Sequence, residues 1–210
     1  MDLRELQAVL FDMDGTLVTS DASVERAWTT WASEYGVSAA EVLSQAHGAP
    51  AESTVDRMLP GFDEVARSTA AARQLELQYD DLSDVVAAPG AFEVLAALDG
   101  LPWAVVTSAD LRLAKARLGA AGIDPPLLVT IEDISRGKPD PEGYLRAAEL
   151  LDVDPQYCLV VEDAEVGLAA GRAAGARTAA LKGLDGDFKL RDLHDLVTLL
   201  NRSLLNRSGE

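Results

Sequence analysis

The sequence predicts an α/β protein: a parallel-sheet core with helices on both faces and an inserted all-helical cap. Three observations carry that prediction. Short apolar runs alternate with helical patterns through most of the 210 residues, which is the signature of a parallel sheet built from crossover units. The runs are continuous rather than alternating polar and apolar, as strands covered on both faces are. Residues 19–88 break the rhythm with helical patterns alone.

In chain order, the first run is QAVLFDMD at residues 7–14, which ends in two acids. SVERAWTTWASEYG, SAAEVLSQA, AESTVDRML and DEVARSTAAARQLELQY follow as helical segments without a convincing strand between them. The division expected is therefore a core of residues 1–18 and 89–210 around a helical cap of residues 19–88. Residues 84–89 would return the chain to the sheet, with Pro89 and Gly90 turning it into the next helix. Residues near 16–20 and 84–89 would act as hinges of a cap that closes to exclude water. WAVVTS, LLVT and YCLVVED read as further strands, and ARTAAL as a weaker fifth. Between them, SADLRLAKARLGAAG closes on Gly122, and KPDPEGYLRAAELL offers Asp140 as N-cap with Pro141 at the first helical position. Gly167, Gly171 and Gly175 recur every four residues, which predicts close packing of one helix face rather than a dinucleotide fingerprint.

Composition narrows the function. With 48% apolar and 25% charged residues the chain is globular, and its net charge of -17 argues against nucleic-acid and membrane-surface partners. An anionic substrate would meet an unfavourable overall field, so its site must carry local cations. The single cysteine, Cys158, lies in an apolar run and reads as a buried, inert thiol. No signal-like or membrane-length segment is present, which points to the cytoplasm, and the two Asn-x-Ser triplets near the end read as a polar tail.

Sites in parallel sheets form beyond the carboxyl ends of the strands. Those ends supply Asp12 and Asp14, then Thr107 and Ser108, then Glu162 and Asp163, with Lys138 following LLVT. Each alone would read as a cap or a solvated loop residue; together they cluster like charges on one edge. Two carboxylates about 5 Å apart at an effective dielectric of about 20 repel by roughly 3 kcal/mol, which a divalent cation would offset. Oxygen ligands of this kind suit Mg²⁺. Lys138 adds a cation for a phosphate, while Thr107 and Ser108 offer hydroxyl and backbone N–H donors.

FDMDGT, VVTS, GKPDPEGY and VVEDAEVG, in that order, resemble the four motifs of the haloacid dehalogenase-like (HAD) hydrolases, over nearly the whole chain. The helical insert resembles the cap of the phosphoglycolate phosphatase and β-phosphoglucomutase relatives, and WAVVTSAD, AHGAP and EDAEVGLAAGRAAGA resemble the sugar- and glycerol-phosphate phosphatase branch. The resemblance implies a Rossmann-like core and a Mg²⁺-dependent phosphatase of small sugar or polyol phosphates, acting as a monomer or weak dimer. In it Asp12 is the nucleophile that forms an aspartyl-phosphate, and Asp14 the general acid and base. The Asp12 carboxylate, the Asp14 carbonyl and Asp163 would bind the metal, with Glu162 a further ligand or a group behind it; Thr107, Ser108 and Lys138 would hold the phosphoryl oxygens.

Three alternatives compete with that reading: a phosphomutase of the β-phosphoglucomutase type, a phosphoglycolate phosphatase, and a phospho-aspartate receiver. Resembling mutases place a histidine where this chain has Val24, and Thr16 follows Gly15 as in phosphatases. Receivers keep their acceptor aspartate at a later strand and lack such an insert. In the cap, Trp28, Trp31 and Tyr35 share one helix face, which reads as packing ahead of a sugar platform. His47 is a candidate substrate contact. The resembling phosphatases continue with an arginine where this chain has Ala49, and Arg57 is a candidate replacement; His194 reads as structural.

Overall fold

The computed structural model describes residues 5–46, 50–98 and 100–205. Its centre is strand β1 (Ala8–Phe11), whose four residues are all buried. Side chains alternate across a strand, so Val9 and Phe11 enter one apolar layer while Ala8 and Leu10 enter the other. That double burial is why the run carries no polar alternation.

After β1 the chain makes a two-residue strand, β2 (Val18–Thr19), and then four helices: α1 (Asp21–Tyr35), α2 (Ala39–Ala46), α3 (Ala51–Met58) and α4 (Glu64–Asp80). They enclose an apolar cluster of their own around Trp28, Trp31, Val42, Val55 and Ala70. The Trp31 indole donates to the Ala70 carbonyl at 2.8 Å and stacks on Tyr35 at 4.8 Å. The aromatic face of α1 is thus chiefly the packing centre of the inserted helices. Strand β3 (Val86–Ala87) follows, but it does not join the main sheet as expected of residues 84–89. It pairs antiparallel with β2, Val18 opposite Ala87 and Thr19 opposite Val86, in a separate ribbon. The alternating neighbours that would mark such short strands are too few to show a period.

The remainder restores the predicted alternation: α5 (Ala91–Ala97), β4 (Trp103–Val106), α6 (Leu111–Ala120), β5 (Leu128–Val129), α7 (Glu142–Leu150), β6 (Cys158–Glu162), α8 (Glu165–Ala173), β7 (Arg177–Ala180), β8 (Phe188–Lys189) and α9 (Leu193–Leu205). The sheet runs β5-β4-β1-β6-β7-β8 with every neighbouring pair parallel. Helices α5, α6 and α9 cover the Val9 face, and α7 and α8 the Leu10 face. Strand β8, two residues long and without an apolar run, is the addition that sequence reasoning did not foresee. Helix α7 starts at Glu142, one residue later than Pro141 would have it, although the Asp140 carboxylate still accepts the Glu142 N–H at 3.0 Å. Of the three spaced glycines, Gly167 and Gly171 face close neighbours, whereas Gly175 lies past the helix end at φ 84° with open space beside it. Among the described residues no helix is long and apolar enough to cross a membrane.

Candidate active site

Register places the site. Phe11 at the end of β1 lies beside Val105 of β4 and Val161 of β6, so the residues that follow these three strands emerge together. Asp12 leaves β1 with its N–H still donated to the Val161 carbonyl at 3.0 Å. Its carboxylate oxygen Oδ1 accepts from Lys138 Nζ at 2.5 Å, and the same ammonium reaches Glu162 Oε1 at 2.7 Å and the Val106 carbonyl at 3.1 Å. The like charges foreseen on this edge are therefore held apart by a lysine that is itself almost fully buried. Burial pushes the Asp12 carboxyl well above the usual aspartate range and the Glu162 charge adds to this, while Lys138 pulls the other way. For Lys138 burial opposes the charge, but Asp12 and Glu162 outweigh it and hold the ammonium well above the ordinary lysine value.

Glu162, 1% exposed, has its acceptor capacity filled. Oε1 takes Lys138 and the Tyr144 hydroxyl at 2.8 Å, and Oε2 takes the N–H groups of Asp163 and Ala164 at 3.1 and 3.2 Å. Two oxygens carry about four lone-pair sites. Glu162 is thus the anchor of Lys138 and of the turn into α8, one of the two roles open to it from sequence. The space it occupies exists because residue 167 is glycine: a Cβ there would lie 1.7 Å from Oε1.

Carboxylate oxygens of Asp12, Glu162 and Asp163 lie within 4.8 Å of one another. Gly15, at φ 80°, brings the backbone so near that a Cβ would meet Asp163 Oδ2 at 2.1 Å, a left-handed conformation that glycine adopts at low cost. An all-oxygen set of carboxylates beside a closely approaching backbone fits a hard divalent cation. Lys182 stands at its edge, 2.9 Å from both Asp163 Oδ2 and Asp21 Oδ1. Burial raises the Asp163 carboxyl above its ordinary value, although Lys182 pulls it down.

Asp14 is held between Ser20, at the start of the inserted helices, and α6 of the core. Ser20 Oγ donates to its Oδ1 at 2.6 Å, and Arg117 Nη1 of α6 lies 2.9 Å from its Oδ2. Thr107 and Ser108 line the same cavity with Asp12, Asp14 and Asp163. The Thr107 N–H is consumed by the Val129 carbonyl at 3.0 Å, so only the hydroxyl, which accepts the Ala109 N–H at 3.1 Å, keeps a free hydrogen for a ligand. That corrects the expectation that Thr107 offers its backbone donor.

The strand-end rule thus brings Asp12, Asp14, Thr107, Ser108, Lys138, Glu162 and Asp163 together, while His47 lies outside the described residues. Among the described residues that line the cavity, Arg57 does not appear. Its Nη2 donates to the Gln45 carbonyl and Thr54 Oγ1 at 3.2 and 3.3 Å, and the guanidinium that lines the cavity belongs to Arg117. His194 is half exposed at the start of α9, its ring nitrogens 3.3 Å from Asp192 Oδ1 and 3.8 Å from Glu93 Oε1, and it is not among the described residues that line the cavity. Ser20, Gln78, Arg117 and Tyr144 escaped sequence reasoning. For Arg117 a signal existed: it falls in helical phase with Leu113, Ala114 and Leu118, the buried face of α6.

Comparison with known proteins identifies the family. A family model for haloacid dehalogenase-like hydrolases matches residues 6–175. Hexitol phosphatase A of Escherichia coli is 41% identical over 191 residues, 90% of this chain and 88% of that protein. 2-Deoxyglucose-6-phosphate phosphatase 1 of Saccharomyces cerevisiae is 37% identical, over 82% of this chain and 78% of its own. A solved structure of a hydrolase from Pseudomonas syringae superposes with a TM-score of 0.78 at 25% identity, covering 94% and 90% of the two chains.

Proposed function

The chain belongs to the haloacid dehalogenase-like hydrolases, and on that premise we propose that it is a Mg²⁺-dependent phosphatase of small sugar or polyol phosphates, working through an aspartyl-phosphate on Asp12. One observation carries the reading: a buried ammonium clamps one oxygen of a carboxylate at the end of the central strand, beside a second acid. Lys138 fixes Asp12 and leaves its other oxygen to attack phosphorus. As the ester P–O bond breaks, Asp14 gives its proton to the leaving alcohol; it then takes one from the water that cleaves the aspartyl-phosphate, returning Asp12 as a carboxylate. The Thr107 hydroxyl holds a phosphoryl oxygen, and Lys138, whose three hydrogens go to Asp12, Glu162 and the Val106 carbonyl, acts on the phosphoryl group through its charge as that redistributes. The Asp12 and Asp163 carboxylates and the Asp14 carbonyl would hold the metal, which supplies positive charge beside the phosphoryl group in a strongly acidic protein.

The helices of residues 19–88 act as the cap over this site. Trp28 and Val24 of α1 and Leu75 of α4 give its cavity an apolar wall opposite the acids, which suits a small sugar or polyol chain. Val24 has no proton to exchange, in keeping with hydrolysis rather than phosphate return to a sugar. The test is a phosphate-release screen over sugar, polyol and glycolate phosphates with Mg²⁺, run beside Asp12→Asn. Sustained release by the native chain, abolished in the variant with its circular dichroism unchanged, is the expected result. Turnover retained by Asp12→Asn refutes the assignment.

A further inference from the structure

Arg117 is 2% exposed, on a helix face otherwise made of leucine and alanine. Burying a guanidinium costs several kcal/mol of hydration, which an apolar side chain would avoid, so packing alone gives no reason for it. Its contacts do. Nη1 lies 2.9 Å from Asp14 Oδ2, and Nη2 donates to Gln78 Oε1 of α4 at 2.7 Å. Gln78 in turn donates to Gln74 Oε1 at 2.5 Å, one turn back on the same helix. The seam between α4 and α6 is closed further out by the Tyr79 hydroxyl on Asp110 at 2.5 Å and by the Arg112 guanidinium, 4.0 Å above the Tyr79 ring.

The consequence concerns Asp14. Both its oxygens are held, Oδ1 by Ser20 at the entrance to α1 and Oδ2 by Arg117, which is itself held by α4. The carboxylate is thus oriented on one side by Ser20 at the start of the insert and on the other by Arg117 of the core helix α6, which α4 of the insert holds in turn. We infer that Arg117 is the positioning residue of Asp14, and that through Gln78 it relays the seating of α4 to that carboxylate. This rests on the reading of Asp14 as proton donor to the leaving group; what it adds is that proton transfer depends on a guanidinium that touches no reacting atom.

The test separates proton donation from everything else. kcat/KM reports the steps through the first irreversible one, here transfer of the phosphoryl group to Asp12. An alcohol phosphate needs a proton on its leaving oxygen; acetyl phosphate, which releases acetate, does not. Both are measured on one preparation, so the folded fraction cancels in their ratio. Arg117→Gln lowers the ratio of alcohol phosphate to acetyl phosphate roughly 10- to 100-fold, the scale on which a misplaced group loses rate. Gln78→Leu, which leaves the charge of Arg117 in place, lowers it by less, and Arg117→Lys, whose single ammonium cannot span Asp14 and Gln78, fails to restore it.

An equal fall on both substrates in Arg117→Gln makes the residue structural or phosphate-holding and overturns the inference. A native ratio in Gln78→Leu overturns the relay, as does a native ratio in Arg117→Lys. Failure of the underlying functional reading is seen separately, as turnover that survives Asp12→Asn.

Discussion

Gly167→Ala adds one methyl group and replaces no ionisable residue, yet it is expected to disable the protein. The new Cβ would lie 1.7 Å from Glu162 Oε1, 2.0 Å from Cδ and 2.5 Å from Oε2, where ordinary contact begins at 3.4 Å. About 1.7 Å must therefore be found. If the carboxylate retreats, its hydrogen bonds from Lys138 (2.7 Å) and Tyr144 (2.8 Å) open beyond reach. If α8 retreats instead, Ala170 leaves the strands it covers and buried Leu168 shifts with it. Overpacking costs about 1–3 kcal/mol, and a buried donor stripped of its acceptor about 1–3 more. The better helix propensity of alanine returns about 1. The net loss is about 1–5 kcal/mol, read from the urea midpoint. Lys138, freed from one of its two anions, should cost catalysis about 100-fold or more per folded molecule, the scale for losing one electrostatic donor. Gly171→Ala is the control: its Cβ would press on Val160 Cγ1 at 2.9 Å, destabilising the fold away from the rim. Equal activity per folded molecule in the two variants would refute the claim that Glu162 sets the position of Lys138.

Two other predictions concern protons. Asp12 and Asp163 have folded-state pKa values above their unfolded ones, chiefly through burial. In metal-free protein their contribution therefore favours folding most below the ordinary carboxylate range, and is lost as pH rises through the elevated values. A dication needs the ionised form and competes with those protons, so the rise in melting temperature on adding Mg²⁺ to EDTA-treated protein should grow from pH 5 to pH 8. An increment as large at pH 5 would count against metal binding by these two acids. Cys158 is fully buried, and burial, with the Asp154 charge behind it, pushes its thiol up to about 11. Iodoacetamide at pH 8 should leave it intact by mass spectrometry until urea unfolds the chain, and native-state alkylation would show the strand to be open.

What could be read in advance was whatever obeys a short period or a strand end. Asp12, Thr107, Glu162 and Asp163 follow runs whose continuous apolar character marks them as central strands, and a parallel sheet carries such positions to one rim. Lys138 was legible because a strongly acidic chain needs a cation there. Ser20 and Gln78 were not, because their partner is fixed only when the inserted helices settle on the core, and nothing local distinguishes Ser20 from an ordinary helix cap. Arg117 sits between Lys115 and Leu118 and looks like a solvated basic residue until its phase with Leu113 is counted. The spacing of Gly167 marks it as a packing glycine, which it is; that a carboxylate fills the space beside it follows only from the fold.

The ribbon of β2 and β3 has a consequence for how the inserted helices are attached. Because Val18 faces Ala87 and Thr19 faces Val86, the chain leaves and re-enters the core through adjacent doorways. Everything from residue 20 to residue 85 hangs from one pair of neighbouring strands, so the sheet closes over the same short gap whatever lies beyond it. Lengthening such an excursion adds only a logarithmic entropy cost. A different excursion can therefore be attached at that doorway with the rim left in place, provided that it replaces the contacts of Ser20 to Asp14 and of Gln78 to Arg117.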